Sequence, residues 1–231
     1  MSFAIRSYNP KSWHVGLDLG STFTAVGFCP EPKHIDDFNP SQDIKQVRRY
    51  PRGTGYGSGK SSQGEIPTEL YYPPDDEQPL IGNQAAHANK YSRTAGVHVG
   101  LFKPLLHERG GTECQRRQIA AKIASLSGEN TVDRVTTDFL EILMRHVKAY
   151  MIMKGLGSYD ERDRVHLTCT VPVIWPLRSK RRLEKACRDA CKRADFHVET
   201  DISIWSEPEA ATAFVLATKE DLRWKASTIC S

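Results

Sequence analysis

Residues Val15-Gly-Leu-Asp-Leu-Gly-Ser-Thr-Phe-Thr-Ala-Val-Gly-Phe28 decide how this chain is read. Two apolar, β-rich runs flank Asp18-Leu-Gly-Ser-Thr22, a short turn with one acid, one glycine and two hydroxyls. The pattern predicts strand, tight turn, strand. Gly20 lets the backbone turn sharply and leaves no side chain in the way of a ligand. Successive backbone N–H groups in such a turn form a concave anion site. An ionised Asp18 only accepts hydrogen bonds, so it can face a phosphate only through a cation or bound water. One reading is therefore a loop for a Mg2+-bound nucleotide phosphate. The other is a plain β-hairpin with an acid and a glycine in its turn.

Two later segments bear on that choice. Val165-His-Leu-Thr-Cys-Thr-Val-Pro172 predicts a strand ended by its proline, and Ser206-Glu-Pro-Glu-Ala-Ala-Thr-Ala213 follows a short strand at 202–205 and opens a helix. In this order the three segments resemble the ATPase domain of the 70-kDa heat-shock protein family. That family reads Asp-Leu-Gly-Thr-Thr-Tyr at the phosphate loop, Val-Pro-Ala at the middle strand end and Asn-Glu-Pro-Thr-Ala-Ala at the later helix. Weaker echoes are Ile66-Pro-Thr68 and Leu80-Ile-Gly-Asn83. The resemblance spans about Trp13 to Thr218 and is divergent: Ser21 stands for Thr, Phe23 for Tyr, Ser206 for Asn and Glu209 for Thr.

The resemblance implies an α/β fold, the first lobe of an actin-like ATPase (ribonuclease H-like), a mixed sheet flanked by helices. One subdomain would combine 1–67 with 131–231, and a smaller one, 68–130, would be inserted into it. The expected ligands are ATP and Mg2+. Asp18 would hold the metal through water, while Gly20, Ser21, Thr22 and Phe23 would meet the phosphates. Lys103 in Phe-Lys-Pro-Leu-Leu is the counterpart of the family's catalytic lysine, and a surface lysine is the competing reading. Glu207 would sit near metal and phosphate, or else serve only to favour a helix N-terminus. Pro172 matches a switch proline. Lys180, with Arg181 next, stands where the family has a relay arginine whose planar contact a lysine cannot copy.

The tail Trp224-Lys-Ala-Ser-Thr-Ile-Cys-Ser231 reads as the start of a strand leading to the family's second phosphate loop. The loop itself, Asp-x-Gly-Gly-Gly-Thr, and the adenosine site are not in the sequence. The expectation is an ATP-binding lobe without efficient hydrolysis on its own, with co-chaperones or a complementing second lobe as partners. Two alternatives stand beside it. One is a non-enzymatic interaction module built on the basic helix 177–194. The other is a fragment of another actin-like ATPase such as a sugar kinase, which shares Asp-x-Gly-Ser/Thr-Thr.

Composition sets outer bounds. The chain has 231 residues, 39% hydrophobic and 26% charged, which suits one or two globular domains. A net charge of +4 does not argue for nucleic acid. No apolar run reaches membrane-spanning length and no signal-peptide core opens the chain, so a cytoplasmic protein is expected. Six cysteines form no Cys-x-x-Cys, and Cys187 and Cys191 fall on an apolar helical stripe as small hydrophobes.

Periodicity supplies the elements. Strands are predicted at 13–19, 23–29, 66–72, with Pro67 at an edge, and 165–171, and helices at 84–90, 131–154, 177–194 and 207–218. Gly155 and Gly157 would stop the second helix. The stretch 30–64 is polar and rich in Gly, Pro and Ser, and reads as a flexible loop insertion with one short strand. Its Gly53-Thr-Gly-Tyr-Gly-Ser-Gly-Lys-Ser61 ends like a Walker loop but has Thr54 where that motif needs glycine.

Overall fold

A computed structural model of the chain describes residues 10–34, 38–51, 64–74, 78–92, 95–107, 112–126, 131–153, 160, 162–199 and 201–218. The Walker-like segment, the glycines at 155 and 157 and the tail 224–231 lie outside the described residues.

Alternation builds the central sheet. In β1 (Ser12–Leu19), Trp13, Val15, Leu17 and Leu19 are buried while His14, Gly16 and Asp18 point the other way and are exposed. β2 (Phe23–Pro30) runs back antiparallel, Leu19 facing Thr24 and Trp13 facing Pro30. α1 (Pro40–Asp43) and β3 (Lys45–Gln46) follow, with Asn39 capping the helix and β3 pairing with β2. This part of the 30–64 stretch is anchored, because Val47 and Tyr50 enter the core.

The predicted strand 66–72 is two strands in two sheets. β4 (Glu65–Pro67) pairs with β2, and β5 (Glu69–Tyr72) belongs to a second sheet. The break is Thr68. Its N–H donates to the Thr22 carbonyl at 2.8 Å, and its hydroxyl lies 2.7 Å from the Thr24 hydroxyl in a buried pair. Pro67 lacks an N–H with which to prolong the ladder.

β6 (Leu80–Ile81) and β7 (Val97–Gly100) flank β5, both antiparallel, with α2 (Asn83–Tyr91) between them in sequence. A 3-10 turn, Lys103–Leu106, then leads to α3 (Glu113–Ala124), whose N-terminus carries a Thr112/Gln115 capping box. α4 (Val132–Met153) carries the longest buried stripe, including Val135, Phe139, Leu143 and Val147. β8 (Arg164–Val171), α5 (Leu177–Arg193), β9 (Ser203–Ser206) and α6 (Glu207–Thr218) complete the described elements.

The main sheet has the order β3-β2-β1-β8-β9, with β4 also on β2. β1, β8 and β9 are mutually parallel and the rest antiparallel, so the fold is α/β with a mixed sheet flanked by helices. α4 and α5 cover its apolar face: Tyr150 packs edge-on to Phe28 at 6.2 Å, and Cys187 lies 3.5 Å from Cys169, sulfur to sulfur. Phe102 meets Phe139 at 5.7 Å, which joins the smaller sheet's unit to the same core. No described helix is long and apolar enough to cross a membrane.

Candidate functional site at the strand edge

Parallel strands place their carboxyl ends on one edge, the usual position for a ligand in an open α/β sheet. Here that edge gathers the ends of β1, β8 and β9, and so the turn at Gly20–Thr22, Pro172 and Glu207. Three stretches far apart in sequence therefore converge.

Register sets the chemistry along the edge. Asp18 lies opposite Thr170, and Thr170 opposite Trp205, all on the face away from α4 and α5. The Thr170 hydroxyl donates to Asp18 Oδ1 at 2.9 Å. Among the described residues Asp18 Oδ2 has no partner, and the carboxylate is exposed. Thr170 carries a signal that went unread in the sequence. In Val165-His-Leu-Thr-Cys-Thr-Val171 the polar residues alternate, which puts Thr168 and Thr170 on the face of Asp18.

The turn itself permits no side chain at Gly20: a Cβ there would collide with the carbonyl oxygen of Phe23. The bond from Thr68 N–H to the Thr22 carbonyl pins the turn to the β4–β5 junction. Ser21, Thr22 and Phe23 open onto a cavity of about 500 Å3 whose far wall includes His98, Gln118 and Lys122. His98 lies 2.7 Å from Glu69 there.

Lys103 is not a surface lysine. Its side chain is 6% exposed, with Nζ 3.4 Å from Glu207 Oε1, across 104 residues of sequence, and 5.6 Å from the ring centre of Trp175. A buried ammonium needs such partners, and an aromatic face supplies part of what a carboxylate does. Glu207 is free to reach it because the cap of α6 is made by others. Ser206 N–H donates to Glu209 at 2.8 Å, and Glu209 N–H donates back to the Ser206 hydroxyl at 3.3 Å. Hydrogen bonding from the Ser206 hydroxyl, and then from the Ser206 N–H, holds the Glu209 carboxyl below its usual range.

Pro172 ends β8; Lys180 acts electrostatically on the Glu209 carboxyl, and among the described residues neither Lys180 nor Arg181 forms a side-chain hydrogen bond or ion pair with Asp18, Thr170, Lys103 or Glu207. The basic face of α5 is partly neutralised where it stands. Lys185 pairs with Asp189, Arg188 with Glu184, Arg193 with Asp138 and Glu141, and Arg182 with Asp133.

A second charged cluster lies away from the edge. Asp138 accepts from the Tyr72 hydroxyl at 3.1 Å and lies within ion-pair reach of Arg134 and Arg193, beside a cavity of about 450 Å3. Burial raises its carboxyl, against the pull of Tyr72 and the two arginines. Both its oxygens have partners, so it reads as a structural node. Among the described residues no cluster of three or more His, Cys, Asp or Glu could hold a metal.

Comparison with protein-family models and with curated proteins returns no match for this chain.

Proposed function

We propose that the chain is a nucleotide-binding lobe of the actin-like ATPase class, a divergent relative of the 70-kDa heat-shock proteins, which takes the phosphates of Mg-ATP at the strand edge. The observation that carries this reading is the convergence at that edge. The turn 20–23, the Asp18–Thr170 pair at 2.9 Å and the Lys103–Glu207 pair at 3.4 Å come from four separate stretches of chain.

The donor set suits the ligand. Mg2+ keeps much of its water and takes one or two carboxylates plus phosphate oxygens, so a single acid at a strand end fits it better than a protein cage would. Asp18 offers that acid, its orientation fixed by Thr170. The bare Cα of Gly20 lets a phosphate approach the N–H groups and hydroxyls of Ser21 and Thr22. Lys103 brings a cation whose low exposure strengthens its action on a nearby anion. When bound, the metal neutralises phosphate charge. The residues position and hold, and the reading assigns binding.

Thermal unfolding with and without millimolar Mg-ATP tests it, beside Asp18→Ala. A ligand at about 100 times its Kd adds about 2.7 kcal/mol and a clear rise in Tm. The rise is expected in the wild type and absent in Asp18→Ala. A folded wild-type chain with no rise overturns the reading. Phosphate transfer to a sugar in the same mixture would move it to the sugar-kinase branch of the class.

A further inference from the structure

The turn that carries Lys103 is held from two sides. Residues Lys103–Leu106 form one 3-10 turn; its cap, the His107 N–H, donates to the Pro104 carbonyl at 3.3 Å, and the carbonyls after it need partners from outside so short an element. Two arginines take them. Arg116 on α3 donates from Nη1 to the carbonyls of Pro104 at 3.4 Å and His107 at 2.7 Å. Arg182 on α5 donates from Nη1 to the carbonyls of Leu105 at 3.4 Å and Leu106 at 3.1 Å, and from Nε to Asp133 at 2.9 Å.

Arg116 belongs to the same stretch of chain as the turn. Arg182 comes from the helix that follows the end of β8, so beside the direct Lys103–Glu207 contact it ties the Lys103 turn to the strand edge. We propose that Arg182 is a positioning residue, which locks the Lys103 turn to α5 and so holds the ammonium against Glu207 and Trp175. This rests on the reading of Lys103 as a site residue and deepens it: the lysine's place would depend on where α5 stands relative to β8.

The chemistry favours arginine. One planar guanidinium addresses two successive carbonyls and a carboxylate at once, whereas a lysine has a single nitrogen to offer. The geometry also leaves little slack, because Nζ is already 3.4 Å from Glu207. A shift of about 1 Å in the turn would break that contact, and displacements of this size matter at sites that work by positioning.

Lysine acetylation of the whole chain, read peptide by peptide in a mass spectrometer, tests the lock without any nucleotide. Lys103 is expected to be protected in the wild type. In Arg182→Met and Arg182→Lys its labelling should rise about tenfold, as for a locally opened segment. Lys148, whose side chain is also mostly buried at 13% exposed, should not change. Asp133→Asn removes the ion pair but neither carbonyl bond, and should leave Lys103 protected. Unchanged protection of Lys103 in the folded Arg182→Lys chain overturns the proposal, and so does a parallel rise at Lys148, which would mean general loosening. The Mg-ATP shift is measured on the same samples. A labelling change without any shift keeps the lock and loses the nucleotide reading. A shift without a labelling change does the reverse.

Discussion

The two faces of the central sheet are built from the same strands and do different work. On one, Trp13, Val15, Leu17 and Leu19 of β1 alternate into a core closed by α4 and α5. On the other, the intervening His14, Gly16 and Asp18 stay exposed, beside Thr168 and Thr170 of β8. α6, which starts where β9 ends, buries none of its residues, and its Phe214 and Val215 are exposed. A strand with period two can serve both ends, because every second residue is released from packing. Stability should therefore be concentrated on the first face and ligand chemistry on the second.

The largest expected effect probes the first face. Phe139 of α4 is fully buried against Phe102, so Phe139→Ala should cost about 3–5 kcal/mol in a denaturant titration. The matching truncation on α6, Phe214→Ala, should cost under about 0.5 kcal/mol, since that ring is 50% exposed. A large loss at Phe214 would break the comparison by showing that α6 is covered in solution.

Gly20 stands where the faces meet, at the end of β1. Gly20→Val must move the Phe23 carbonyl and should cost on the order of 2 kcal/mol. Asp18→Ala, one register position from the turn and exposed, should stay within about 0.5 kcal/mol of wild type while abolishing the Mg-ATP shift. Equal destabilisation by the two variants would mean that Asp18 is a structural residue.

A smaller effect is expected at the Lys103–Glu207 pair. Glu207 is 48% exposed, so water screens its half of the interaction, and Glu207→Gln should cost less than about 1 kcal/mol. In a Lys103→Met background the same change should cost nothing, which a double-mutant cycle would register as coupling. Zero coupling would separate Lys103 from the edge.

How far these features could be read in the sequence follows from how local they are. β1, β2, β8 and α4 carry their own periodicity, and the turn at Gly20–Phe23 is contiguous, so both were legible. α3 was not: only Ile119 and Ile123 of its stripe are buried, and its one clear signal is the Thr112-x-x-Gln115 cap. The break at Thr68 was hidden because Ile66–Tyr72 is short, has apolar residues at both ends and reads as one strand. What splits it is a hydroxyl on β2, 44 residues away. The burial of Lys103 depends on Trp175 and Glu207, which no local pattern ties to it. Arg182 is one of many cations in the basic helix 177–194 and no local pattern sets it apart, yet its guanidinium donates to the carbonyls of the Lys103 turn.

The smallest effect divides the faces by pH. His14, on the open face, stacks on His166 at 5.1 Å; burial, then the neighbouring imidazole, holds its pKa below the ordinary value, with Glu31 pulling weakly the other way. His146, on α4, is lowered by burial, opposed by its bond with the Arg48 carbonyl. For both, the unfolded chain binds the proton more readily than the folded one, so stability rises with pH through this region. The contribution is fully present above an unfolded pKa of about 6.5 and is lost as pH falls through that value toward the folded ones. Unfolding free energy should therefore drop between pH 7.5 and 5.5, and His14→Gln and His146→Gln should each flatten the slope. Asp138, raised by burial, acts in the opposite sense, gaining stability as pH falls toward the unfolded carboxylate value, below this window. Since His14 lies on the face that carries little packing, its variant should change the slope while leaving stability at pH 8 near wild type. A loss at pH 8 as large as any found for His146→Gln would show that the open face bears load after all.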